Sequence, residues 1–332
     1  MNDGTRFITT KTPVRISFTG GGTDFPAFYR QNGGAVISAA INKYIYVTVA
    51  KNFYKDEIRV SYSKTENALK SVEEIQHPTV REAMKLLGIQ GGLQIISITE
   101  IPSQGTGLGS SSSFLVGLLN ALHAWQAEAP SQRQLAEEAF KIEREILKEP
   151  GGKQDHYMAA YGGMNLLEFF PDDSTNVKQI LLKKEAREEF QENLLLLYTG
   201  RQRESSTIHT EQQQKVGEHI KEYEEMKNIT YETYEALARG DYASLGSLLD
   251  RNWKLKRRLA NGITDPKIDE WYDTAMRNGA EGGKLIGAGG GGFMLFYAKK
   301  EYHERIKNAL PELQEIKFSF EPFGSRIIYI ED

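Results

Sequence analysis

Eleven of the 31 glycines fall in three short runs: Gly20 to Gly22; Gly105, Gly107 and Gly109; and Gly287 with Gly289 to Gly292. Glycine takes left-handed backbone without strain and lets a second backbone or a ligand come close. Runs of it at the ends of elements mark where the chain must turn tightly or be approached. The first run closes a strand expected over Val14–Thr19 and leads into Thr23-Asp24. A simple turn would account for the glycines, but the two polar residues directly after them also suit a site. The second run lies in Pro102-Ser103-Gln104-Gly105-Thr106-Gly107-Leu108-Gly109 and is followed by Ser110 to Ser113 and an apolar helix. A strand, a glycine loop and a serine-started helix bind anions, because the free N–H groups of the first turn and the helix dipole both favour negative charge. One serine would suffice as a cap; four of them after three alternate glycines point to phosphate.

The loop is not a Walker A sequence, since Gly152-Lys153 is followed by Gln154 and Gly283-Lys284 by Leu285. Nor does Gly109 to Ser113 match a nucleophile elbow. The third run, Gly287 to Gly292, matches G-x-G-x-x-G literally, but Phe293 to Tyr297 follows as a strand where a dinucleotide fold needs a helix. It reads instead as a glycine hairpin between Lys284–Ile286 and Phe293–Tyr297, built for close approach to something.

Composition removes several classes. There is no cysteine, so disulfide scaffolds, thiol nucleophiles and thiolate metal sites are excluded. With 41 Lys plus Arg against 45 Asp plus Glu, the formal charge is −4, which argues against a nucleic-acid or anionic-membrane binder. The first residues lack an apolar core, and Leu115–Trp125 is too short to span a bilayer. A cytoplasmic location is expected.

The coarse pattern is α+β in two halves, with a boundary near 170–195; taken as domains, these are 1–190 and 191–332. Strands are expected at Val14–Thr19, Ala35–Ala39, Tyr44–Ala50, Ile58–Tyr62, Leu93–Thr99 and Met164–Phe169. Helices are expected at Ser111–Trp125 and at Gln132–Lys148, the latter capped by Ser131. Beyond Arg187 helices dominate: Glu204–Arg239, broken near Asn228, then Ala243–Leu259 and Pro266–Asn278. The end reads Gly292–Ala298, Glu301–Leu310, Ile316–Phe320 and Arg326–Ile330 as strand, helix, strand and strand.

On the helix Gln132–Lys148, Leu135, Ala136, Ala139, Ile142, Ile146 and Leu147 form one face, while Glu137, Lys141, Arg144 and Lys148 lie opposite. Glu143 falls in the middle of the apolar face. A buried carboxylate must be paired or metal-bound. An internal ion pair is one reading; a ligand for a hard cation such as Mg²⁺, with phosphate oxygens and water, is the other. Twelve residues on, Asp155 follows Pro150-Gly151-Gly152, a turn that could return it to the phosphate loop. The histidines show no metal-ligand spacing, and His156 reads as structural or supporting.

Together these residues carry a resemblance. Pro13-Val14-Arg15-Ile16-Ser17 before the first glycines, Pro102 to Ser113, and Lys284 to Phe293 occur in the order found in GHMP kinases, and the chain resembles that superfamily over nearly its whole length. Arg15 to Pro26, Tyr62 to Glu66, His77-Pro78, Val80-Arg81-Glu82 and Tyr198-Thr199-Gly200 are similar to the heptose 7-phosphate kinases in particular, with fucokinases as near competitors. The resemblance implies a domain like domain 2 of ribosomal protein S5, followed by a ferredoxin-like domain, with the site between them. It implies that Gly105, Gly107, Leu108, Gly109, Ser110, Ser111 and Ser112 cradle the phosphates of ATP, and that Ser111 and Glu143 hold Mg²⁺. Asp155 would be the catalytic aspartate with Arg15 beside it. Gly21, Gly22, Thr23 and Asp24 would meet the sugar, and Gly289 and Gly290 would close over substrate or phosphate. Arg203 is favoured for the sugar's own phosphate, ahead of Lys153, Arg201, Arg257 and Lys284. Small molecules are the expected partners, with neither nucleic acid nor membrane, and the chain would be a monomer or a homodimer. A non-catalytic sugar sensor is the alternative of another class; Arg15, Glu143 and Asp155 argue against it.

Overall fold

The computed structural model describes residues 6–102, 105–202 and 205–331. The chain runs β1 (Phe7–Thr19), α1 (Pro26–Asn32), β2 (Gly34–Lys51), β3 (Ile58–Ser61), β4 (Thr65–Leu69), α2 (Pro78–Leu86), β5 (Leu93–Thr99), α3 (Ser110–Trp125), α4 (Gln132–Phe140), α5 (Gln154–Tyr161), β6 (Met164–Phe169) and β7 (Thr175–Gln179). It continues through α6 (Lys184–Glu192), β8 (Leu194–Tyr198), α7 (Ser205–Gln214), α8 (Ile220–Arg239), α9 (Leu245–Lys256), α10 (Pro266–Arg277), β9 (Ala280–Leu285), β10 (Phe293–Ala298), α11 (His303–Ala309), β11 (Gln314–Glu315) and β12 (Arg326–Glu331).

Two sheets result. The first has the order β12-β1-β2-β5-β3-β4, with β6 also paired to β2 and β7 to β6. The second has the order β11-β8-β10-β9. The 18-residue β2 is the spine of the first sheet. Its start pairs with β6 and its end with β5, and β1 lies along its other side. The split into Ala35–Ala39 and Tyr44–Ala50 expected from sequence is therefore one continuous strand. The buried run Val14–Thr19 in β1 does not alternate, because α3 and α5 pack on that stretch of sheet and α8 and α9 also reach it. A strand covered on both faces reads as continuously apolar.

Ser131 caps α4, accepting from Gln134 N at 3.1 Å. That helix then loosens into wide turns over 141–146, where Leu147 N bonds Ile142 O at 2.9 Å, five residues back. The long helix expected over 204–239 is interrupted at 215–219, not at Asn228. Gly217 sits in that break, and glycine is the costlier helix residue. The segment 316–320 is no strand. Its N–H and C=O groups serve both sheets, Ile316 N reaching Leu196 O and Ser319 O accepting from Asn42 N, each at 2.9 Å. Beyond it, β12 pairs antiparallel with β1, so the chain ends in the first sheet. Among the described residues no helix is long and apolar enough to cross a membrane.

Candidate active site

The three glycine runs converge. Gly107 and Gly287 both have left-handed backbone, and a Cβ on Gly287 would lie 2.3 Å from the Gly107 Cα. The close approach that the third run was built for is thus to the second run. Gly109, also left-handed, opens α3, so Ser110 to Ser112 form its first turn.

Below that turn lies Glu143, 3% exposed. Ser111 donates to one carboxylate oxygen, and Ser112 Oγ donates to the other at 2.8 Å. His156 Nε2 lies 2.6 Å and Arg144 Nη2 3.2 Å from that second oxygen. Burial pushes the carboxyl up, but Arg144, His156 and Ser111 outweigh it and hold Glu143 well below the ordinary range. The ion-pair reading is met: Glu143 is paired, and it stands as an anion beside a serine hydroxyl. Among the described residues no three His, Cys, Asp or Glu side chains form a metal cluster. Two hard oxygen donors, from Ser111 and Glu143, fit Mg²⁺, which takes its remaining ligands from phosphate and water.

Asp155 stands in the first turn of α5, where the dipole favours a carboxylate. Arg15 Nε and Nη2 both bond its Oδ1, at 2.8 and 2.6 Å. The same guanidinium donates to Gly107 O, and Arg15 N to Leu108 O at 3.0 Å. Arg15 thereby ties the aspartate to the phosphate loop.

Asp24 is buried at the end of the first run. It accepts from Gly22 N at 2.9 Å, Gln154 N at 3.1 Å and Gln154 Nε2 at 3.2 Å. Burial raises its carboxyl despite these donors, and neighbouring Asp155 adds to the rise. The Thr23 hydroxyl bonds Ala35, donating to O at 2.8 Å and accepting from N at 3.0 Å.

Two connected hollows result. One of 620 Å³ is walled by the phosphate loop, Glu143, Asp155, Gly287 and Ala288. A smaller one of 40 Å³ is walled by Gly21, Gly22, Asp24 and Lys256. Arg15, Arg144, Asp155, His209 and Gly287 border both. Burial, with Arg144 next, presses His209 down to about 4. The third run reaches this seam through Gly287 and Ala288, whereas Gly289 and Gly290 pack on the Ile263 backbone. Arg203 lies outside the described residues. The other cations considered for the sugar's own phosphate are engaged: Lys153 with Asp173 O at 2.5 Å, Arg201 with Asp265 at 2.6 Å, Arg257 with Asp269 at 3.4 Å and Lys284 with Phe18 O at 2.9 Å.

Arg144 and Lys256 are the residues that sequence reasoning missed. Arg144 leaves the solvent face because the turns beneath it are wide. Lys256 carried a legible signal, since it continues the buried stripe Leu249, Asn252, Trp253 of α9.

Residues 71–163 match the pattern of the GHMP kinases N terminal domain and 233–315 that of the GHMP kinases C terminal, together more than half of the chain. The chain is a GHMP kinase. It is accordingly an ATP-dependent phosphotransferase, with the two-domain α+β fold of that family. This kinase is 29% identical to a D-glycero-alpha-D-manno-heptose 7-phosphate kinase of Campylobacter jejuni, over 92% of this chain and 94% of the relative. It is 25% identical to an L-fucokinase/L-fucose-1-P guanylyltransferase of Bacteroides fragilis, covering 91% of this chain but 36% of that longer protein. Among solved structures, a D-glycero-D-manno-heptose 1-phosphate kinase of Bacteroides thetaiotaomicron superposes with a TM-score of 0.81 at 24% identity, over 98% of this chain and 99% of that one. Galactokinase of Lactococcus lactis, solved with galactose, does so with 0.78 at 17% identity, over 96% and 95%.

Proposed function

We propose that this kinase is a sugar-1-kinase, transferring phosphate from ATP to the anomeric hydroxyl of D-glycero-D-manno-heptose 7-phosphate. The product would be the 1,7-bisphosphate, on the route to GDP-heptose. The observation that carries the reading is the Arg15–Asp155 pair at the seam of the two hollows, with the phosphate loop on one side and Asp24 on the other. Similarity to the heptose 7-phosphate kinase supports the choice of acceptor.

Phosphoryl transfer depends mainly on positioning and charge neutralisation. The larger hollow takes the nucleotide, its phosphates lying against the first turn of α3. Ser111 and Glu143 would hold Mg²⁺, which when bound would neutralise charge on the phosphate oxygens. The smaller hollow takes the reacting end of the sugar, and Asp24 accepts from a sugar hydroxyl. Arg15 occupies Oδ1 of Asp155, and Oδ2 is then the oxygen that orients the C1 hydroxyl and takes its proton. Asp155→Asn is expected to lower kcat about 10²- to 10⁴-fold with the fold intact, measured by ADP release with heptose 7-phosphate; near-normal turnover would remove this role. Turnover of fucose without turnover of the heptose would overturn the choice of acceptor.

A further inference from the structure

Lys256 ends α9 on the helix's buried face and is 4% exposed, yet it borders the smaller hollow. An ammonium has three donors. One goes to Gly287 O, and among the described residues no carboxylate pairs with Lys256. Burial, and after it the Arg15 charge, press the ammonium down to about 8, against the pull of Asp24 and Asp155. Lys284, a second buried lysine whose amine burial presses well down, lies nearby, and His209 borders the same hollow. A buried cation with donors to spare is costly unless an anion answers it. Its surroundings are also under-bonded. Ser17 Oγ, Tyr223 Oη and Asn252 Nδ2 are buried around the first glycine run without partners among the described residues. Asn252 lies one helical turn before Lys256 and receives Gly20 N on its Oδ1 at 3.0 Å.

We infer that Lys256 is a phosphoryl-binding residue, its free N–H groups donating to phosphoryl oxygens at the seam, beside Gly287. Two phosphoryl groups meet this chemistry: the one in transfer, and one carried by the acceptor itself. The backbone carbonyl of Gly287 aims the ammonium, and that glycine is the residue through which the third run touches the phosphate loop.

The inference rests on the kinase assignment and not on the identity of the sugar, and its test separates the two. Lys256→Met and Lys256→Gln keep length without charge. The first measurement uses the ADP-saturated enzyme and reads the thermal shift on adding inorganic phosphate. Wild type is expected to gain stability and both variants to lose that gain. The second measures kcat/KM with heptose 7-phosphate and with the same heptose lacking its phosphate. Loss of a charge-assisted hydrogen bond is expected to cost about 10- to 100-fold. An equal loss of kcat/KM with both acceptors assigns Lys256 to the transferred phosphoryl; a loss confined to the phosphorylated acceptor assigns it to the acceptor's phosphate. Folded variants that keep the phosphate-dependent shift and stay within about threefold of wild type with both acceptors would overturn the inference. If the enzyme turns over neither heptose, the choice of sugar fails while the phosphate shift still decides the role of Lys256.

Discussion

Glu143 and Asp24 are both buried carboxylates, one lining each hollow, and their surroundings push them in opposite directions. Glu143 has a guanidinium, an imidazole and two hydroxyls around it; Asp24 accepts from amide N–H donors, with a second aspartate and the buried amines of Lys256 and Lys284 nearby. One is held as a permanent anion, suited to a cation. The other gains most from an added donor, suited to a sugar hydroxyl. The difference in charge state supports the proposed division into a metal end and an acceptor end.

Substitution should expose this contrast most strongly in turnover. Glu143→Gln is expected to lower kcat about 10²- to 10³-fold, the range for losing one preorganised electrostatic group, and to weaken the dependence on Mg²⁺. An unchanged Mg²⁺ titration would return Glu143 to a purely structural ion pair. Asp24→Asn should act more mildly and elsewhere, cutting kcat/KM for the sugar about 10- to 100-fold while leaving KM for ATP alone. If KM for ATP rose instead, the two ends would be wrongly divided.

Stability should respond with opposite signs. The folded Glu143 carboxyl lies below its unfolded value of 4.5, so its contribution is present above that pH and is lost as pH falls through the folded value. At pH 7, Glu143→Gln should therefore destabilise, by about 3 kcal/mol for one broken partner of a buried pair, and the gap should close in acid. The folded Asp24 carboxyl lies above 3.8, so its ionisation is a cost that grows as pH rises from there through the folded value. Asp24→Asn should hold or raise Tm at pH 7, with an advantage that shrinks below pH 4. Thermal melts across pH check both; a parallel loss of Tm in the two variants would erase the comparison.

What was legible in the sequence follows from the range of each interaction. The anomaly of Glu143 on an apolar face needs only a local helical wheel, and the serine-started helix needs only its own loop. Arg144 was read onto the solvent side because a regular helix was assumed, and no local pattern announces a wide turn. Lys256 broke the same rule as Glu143, but it stands in a run of three cations with Arg257 and Arg258, which hides it. The eight-residue α5, which carries Asp155, is buried too evenly to show a 3.6-residue period. Contacts between distant segments were not legible. Gly107 against Gly287, and β12 against β1, pair stretches whose own composition does not name a partner.

That last pairing changes what counts as a module. The chain leaves the first sheet after β7, builds the second, and comes back to complete the edge of the first with β12. The second sheet is therefore an insertion held at both ends, and no single cut separates the two. A fragment stopped at residue 190 lacks β12 and leaves the long β1 with a bare hydrogen-bonding edge, the kind of edge through which chains associate.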